Sequence, residues 1–123
     1  MVMIILKLQL NDGNFRSFEF MNRKSITIGR WKTNDIVLTD PTVSGHHAAI
    51  EMEEEVFCIK DLESRNGSRV NDIHVTHQTL KSGDVIKLGN TVIEYVNEDL
   101  ETKFDELESR RSPKTKLIDT SDI

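Results

Sequence analysis

Residues 40 to 52 read DPTVSGHHAAIEM, a turn-prone Asp-Pro-Thr and a Ser-Gly set directly before two histidines and an apolar run. The segment therefore reads as a loop feeding a strand. Runs of the same character lie on both sides of it. MIILKLQL, RSFEF, SITIGR and DIVL precede it, and VFCIKDL, DVIKLG and TVIEYV follow the strand HAAIEM. Each alternates with period two or is rich in β-branched residues. Turn signals separate them at Asn11-Asp12-Gly13, Asp40-Pro41, Asn66-Gly67, Ser82-Gly83 and Gly89-Asn90. No segment before residue 97 carries a sustained i, i+3, i+4 apolar stripe, so the crossover helices of a parallel sheet are not expected. The expected fold is all-β, a sandwich of antiparallel or mixed strands.

The composition changes after Val96. Apolar residues thin out, acidic residues take over, and SRRSPKTK follows. Such a segment buries too little to fold alone. The chain is thus expected to form one domain over residues 1–97 with a flexible acidic and polar tail over 98–123. Leu100, Phe104 and Leu107 recur at i, i+4, i+7 within that tail, a spacing compatible with one short helix.

Charge and cysteine usage exclude several classes. The net charge of −5 divides into 11 basic and 13 acidic residues up to 97, and 5 basic and 8 acidic beyond. A duplex nucleic-acid binder needs a basic footprint that this balance lacks, so any anion is met by a local cluster. The longest apolar stretches fall far short of the roughly 20 residues that cross a bilayer, and no membrane partner is expected. No secretory leader pattern precedes them. Cys58, the single cysteine, lies inside VFCIK and cannot build a disulfide frame or a thiolate cluster with other cysteines of one chain. These features point to an intracellular, cytoplasmic protein, or a nuclear one in a eukaryote.

Catalysis finds little support. A Ser-His pair needs an orienting third group and an oxyanion site, and the adjacency in SGHH supplies neither. No metal site is expected from His46, His47, His74 and His77, because neighbours on a strand face opposite ways and no His-x-His pair exists. GNTVIEY and SRNGSR lack the spacing of a phosphate loop and the helix that follows one, so no cofactor is expected. What remains is a set of loop residues suited to a small anion: Arg30 after Gly29, Ser44 at the end of a turn, and Arg65, Asn66 and Ser68 in ESRNGSR. Arginine offers a planar fork of donors, serine a hydroxyl, and asparagine both a donor and an acceptor.

In order and spacing, IGR (28–30), NDIVLTDPTVSGHHA (34–48), DLESRNGSRVN (61–71) and LKSGDVIKLG (80–89) resemble the forkhead-associated (FHA) domain family. The resemblance covers roughly residues 3–97. It implies a sandwich of about eleven strands in two sheets, a phosphothreonine-peptide site on loops at one end, and no catalytic activity. It assigns the phosphate to Arg30 and Ser44 and the ligand main chain to Asn66, with Arg65 as a second cation. Gly45 departs from the Arg, Lys or Asn common at that position and offers only a backbone N–H, which Arg65 or His46 would offset. His47 matches the family's bracing histidine beside Gly29 and Gly67, while His46, Ser68 and Thr42 are auxiliary candidates. The family also selects the side chain three residues after the phosphothreonine. With no basic residue at Thr42, an apolar preference is expected there.

The implied partners are a phosphothreonine-containing protein and the Ser/Thr kinase that writes it. The tail itself carries Thr102, Thr115 and Thr120, with Asp105, Ile118 and Ile123 three residues on. From Asn97, Thr102 reaches only about 17 Å and Thr115 about 60 Å at roughly 3.3 Å per residue. Thr102 would thus meet only a second molecule, whereas Thr115 or Thr120 would be able to fold back in cis. The alternative reading is a phosphate-independent structural or oligomerisation domain, and Gly45 is the residue that favours it.

Overall fold

The computed structural model describes residues 2–10 and 12–99. The proposed tail helix and Thr102, Thr115 and Thr120 lie outside the described residues. Eleven strands follow in order: β1 (Val2–Gln9), β2 (Phe15–Met21), β3 (Ser25–Gly29), β4 (Ile36–Val37), β5 (Ala48–Glu53), β6 (Val56–Asp61), β7 (Ser68–Val70), β8 (Ile73–Val75), β9 (His77–Thr79), β10 (Val85–Leu88) and β11 (Thr91–Asp99). They form two sheets, ordered β2-β1-β11-β10-β7-β8 and β4-β3-β5-β6-β9. Among the described residues, only the β3–β4 pairing is parallel.

Period-two alternation places the core. Ile4 and Leu6 of β1, Ile86 and Leu88 of β10, and Ile93 and Tyr95 of β11 face inward from the first sheet. Ile26 and Ile28 of β3, Ile50 of β5, and Phe57 and Ile59 of β6 meet them from the second. All are essentially buried. Each such aliphatic or aromatic side chain contributes about 1.5–3 kcal/mol on leaving water. Antiparallel pairing with β1 carries β11 through Asp99, opposite Val2.

Alternation did not announce β7, β8 and β9, three residues each. Strands so short cannot show a period, and a tight turn joins β7 to β8. Asn71 and Asp72 occupy it at φ 52° and 71°, a left-handed pair that these two side chains tolerate. The β5–β6 hairpin makes the same turn on Glu54 and Glu55, at φ 50° and 72°. A glutamate gains nothing there to offset a left-handed backbone. Glu55→Gly is therefore expected to stabilise the protein by about 1 kcal/mol, a rise in melting temperature of about 4–8 °C. An unchanged or lower thermal midpoint would count against strain in this turn.

Register fixes which loops gather. Ala48 pairs with Asp61 and with Ile28, so the segments following β3, preceding β5 and following β6 leave one end of the second sheet. The β10–β11 turn joins them there through the Asn90 N–H, which donates to Thr42 Oγ1 at 2.8 Å.

Candidate functional site

Backbone bonds weld the loop after β3 to the loop before β5. Arg30 N–H donates to the Ser44 carbonyl (2.9 Å) and Trp31 N–H to the Gly45 carbonyl (3.1 Å). Gly29 permits this approach, because a Cβ there would collide with the Gly45 carbonyl oxygen. The third loop is tied on by His47, fully buried. Ser44 N–H donates to its Nδ1 (3.0 Å), and its Nε2–H donates to the Gly67 carbonyl (2.8 Å). Nδ1 accepts, so the proton sits on Nε2. Asn66 adds a second tie, its Nδ2 donating to the Thr42 carbonyl at 2.7 Å. Thr42 is itself fixed, donating from Oγ1 to Asp40 Oδ1 (2.7 Å) while accepting from Asn90.

The welded loops enclose a cavity of about 360 Å³ lined by Arg30, Trp31, Thr42, Ser44, Gly45, Glu63, Arg65 and Asn66, among others. Its donors are aimed and unspent. Arg30 Nε donates to the Val43 carbonyl at 2.8 Å, which orients the guanidinium while both Nη groups keep no partner among the described residues. Ser44 Oγ accepts from Arg65 N–H at 3.0 Å, leaving its own hydrogen to give away. The Arg65 guanidinium likewise has no partner among the described residues. Two cationic forks and a hydroxyl thus share one opening, a donor set suited to a tetrahedral dianion. Glu63 is the one acidic residue in the lining.

Of the residues singled out in the sequence, Arg30, Thr42, Ser44, Gly45, Arg65 and Asn66 come together here. Gly29, His47 and Gly67 brace the loops from behind. Two do not reach the opening. Ser68 is fully buried and donates to Asp61 Oδ1 at 2.6 Å, so an auxiliary contact to ligand is not open to it. His46 precedes β5 instead of sitting within it, so strand alternation does not aim it. Its Nδ1–H donates to Asn34 Oδ1 (3.0 Å), and its ring packs edge-on to Trp31, centroids 4.8 Å apart.

Trp31 went unnoticed in the sequence. Its indole is 57% exposed and lies over Gly45 so closely that a Cβ at 45 would enter the ring. The glycine at 45 and the tryptophan at 31 are thus one feature: the absence of a side chain at 45 makes room for an aromatic wall. The signal in the sequence was a tryptophan directly after Gly-Arg, a large apolar side chain in an otherwise polar loop.

A second hollow, of about 250 Å³, opens on the other side of Asn66 and Thr42 and carries Arg69 and Lys87. These two face each other across the β7–β10 pairing. Neither has a carboxylate partner among the described residues, so the hollow is cationic. The apolar preference expected from Thr42 alone took no account of these cations. The cations come from strands that the loop motifs do not include.

Asp61 holds the loop after β6 in shape. It accepts from Ser64 N–H (3.0 Å), Ser64 Oγ (2.6 Å) and Ser68 Oγ (2.6 Å). Burial alone would raise its pKa, but these donors outweigh that and leave it lowered. A carboxyl lowered on folding contributes stability above its unfolded pKa of about 3.9, lost as pH falls through the folded value. The denaturation midpoint is therefore expected to drop below about pH 4, with a shallower acid limb in Asp61→Asn. Identical acid limbs would contradict this role.

Fold and site together define a class: a β-sandwich module that presents a cavity lined by cationic and hydroxyl donors on loops at one end. The sequence matches the FHA domain over residues 26–89, and the chain belongs to that family. The FHA domain-containing protein FhaA of Mycobacterium tuberculosis is 38% identical over 86 residues, 70% of this chain and 16% of FhaA. The oxoglutarate dehydrogenase inhibitor of Corynebacterium efficiens is 38% identical over 69 residues, 56% of this chain and 49% of the inhibitor. The chain thus spans half or less of these curated relatives. A solved FHA domain studied for phosphothreonine-dependent interactions superposes with a TM-score of 0.65 at 36% identity, covering 75% of this chain and 95% of that one.

Proposed function

We propose that the domain recognises phosphothreonine in partner proteins and acts as an adaptor or regulatory module downstream of a Ser/Thr kinase inside the cell. It works by binding and not by catalysis. The observation that carries this reading is the cavity in which Arg30 and Arg65 leave guanidinium donors unpaired beside the free hydroxyl hydrogen of Ser44. The solved relative studied for phosphothreonine-dependent interactions supports it. A phosphothreonine carries about −1.5 to −2 charge at pH 7. Charge-assisted bonds contribute about 1.5–3 kcal/mol each, so three of them with main-chain contacts from Asn66 suffice for micromolar affinity, about 8 kcal/mol. The same site would accept the chain's own phosphorylated tail, Thr115 or Thr120 in cis and Thr102 in trans.

Arg69 and Lys87 add a selection. A peptide whose phosphate sits against Arg30 and whose chain crosses Asn66 meets these cations, so an acidic side chain three residues after the phosphothreonine fits better than an apolar one. Fluorescence polarisation with matched phosphothreonine, phosphoserine and threonine peptides tests the reading, each made with Asp or Ile at that position. Micromolar binding of phosphothreonine alone is expected, severalfold tighter with Asp and weaker at high salt. Equal binding of phosphorylated and unmodified peptides would end the proposal.

A further inference from the structure

The opposite end of the second sheet holds a different kind of site. β5 and β6 start and finish beside the anion cavity, so the turn that joins them, Glu54-Glu55, lies at the far end. Close to that turn, the outer face brings together Glu53 of β5, Cys58 of β6 and His77 of β9. One ligand atom from each, a carboxylate oxygen, Sγ and a ring nitrogen, all lie within 4.8 Å of one another. His77 Nε2 is 3.0 Å from Glu53 Oε1. The three line a hollow of about 370 Å³ with Glu54, Val56 and Thr79.

We propose that Glu53, Cys58 and His77 form a binding site for a single divalent ion of the Zn²⁺ class. Thiolate, imidazole and carboxylate are the donors that ion takes, at about 2.0–2.3 Å. Donors around one such ion stand roughly 3–4 Å apart, so small rotamer changes convert the observed cluster into a coordination set. Glu54, at the turn, or a water fills the fourth position. The sequence argument against metal rested on spacing between histidines, which ignores what three hydrogen-bonded strands place side by side.

The present partners of these groups allow the change. Lys60 Nζ bridges Glu53 (2.8 Å) and Glu51 (3.0 Å), so it keeps Glu51 when Glu53 turns to the ion. Cys58 Sγ lies 3.7 Å from Thr79 Oγ1, a weak contact that coordination replaces. On binding, the thiol proton passes to solvent and Sγ ligates as the thiolate. His77 ligates through Nε2 with its proton on Nδ1. The ion would join three strands, among them β9, which is the edge of its sheet and pairs with β6 alone among the described strands. The site would therefore guard an exposed edge.

The test uses the full chain, stripped with EDTA and titrated with Co²⁺ and then Zn²⁺. Co²⁺ is expected to give a thiolate-to-metal charge-transfer band and the visible bands of a four-coordinate ion, displaced by one equivalent of Zn²⁺. Cys58→Ser should lose the charge-transfer band. His77→Ala, on an exposed edge residue that leaves the core intact, should weaken Zn²⁺ binding roughly tenfold or more without altering phosphopeptide affinity. Zn²⁺ should raise the thermal midpoint of the unaltered protein more than that of either variant at the same concentration. Absence of the thiolate band in the unaltered protein, or equal Zn²⁺ affinity in all three proteins, would overturn the proposal.

Discussion

Arg30→Ala is expected to weaken binding of a phosphothreonine peptide by about 30- to 150-fold while leaving the fold in place. Its guanidinium is pre-aimed by the Nε bond to Val43 O and has no other partner among the described residues, so the loss falls on the ligand. Charge-assisted bonds contribute about 1.5–3 kcal/mol each, so losing the one or two made by its free Nη groups costs about 2–3 kcal/mol, and each 1.4 kcal/mol is tenfold. The lost Val43 contact costs the fold only about 1 kcal/mol. Arg30→Lys should fall between the two, since it restores the charge without the planar fork. Calorimetric titration reads all three proteins. Affinity in Arg30→Ala within twofold of the original would place the phosphate elsewhere.

The largest effect on stability is expected at His47. It has no access to solvent, and its two ring nitrogens are the bridge between Ser44 N–H and the Gly67 carbonyl. His47→Ala removes both bonds, leaves two part-buried backbone groups unpaired and opens a void. Together these are expected to cost about 3–5 kcal/mol. Affinity should fall as well, because Ser44 and the loop carrying Arg65 and Asn66 lose their common support. Urea denaturation checks the first statement and peptide titration the second. His46→Ala is the control: its ring is exposed and outside the cavity, so its loss should shift the denaturation midpoint much less. Equal losses in the two variants would contradict the division of labour between the adjacent histidines.

That division was only partly legible in the sequence. Strands with room to alternate, such as β1 with Ile4 and Leu6 inward, show themselves as period two. β7 to β9 are too short to do so and are fixed by pairing with their neighbours. Arg30, Ser44 and Asn66 were legible because Gly-Arg, Ser-x-x-His and Asn-Gly stand in the order and spacing of the FHA family, which assigns their roles. What the sequence could not show depends on approach between distant segments. Gly45 read as a position without a side-chain contact, with no sign that Trp31 lies over it. Ser68 read as a ligand residue until Asp61 was found to take its hydroxyl. Arg69 and Lys87 become neighbours only through the β7–β10 register, as Glu53, Cys58 and His77 do through β5, β6 and β9.

The central claim is that phosphate is bound where Arg30, Ser44, Arg65 and Asn66 meet. Amide and arginine Nε resonances of the isotope-labelled protein, followed by NMR during titration with a phosphothreonine peptide and with its unphosphorylated twin, test it most directly. The phosphorylated peptide should shift the Ser44, Arg65 and Asn66 amides and the Arg30 Nε signal, and the unphosphorylated peptide should shift none of them. Shifts produced equally by both peptides, or confined to the sheet faces away from these loops, would contradict it.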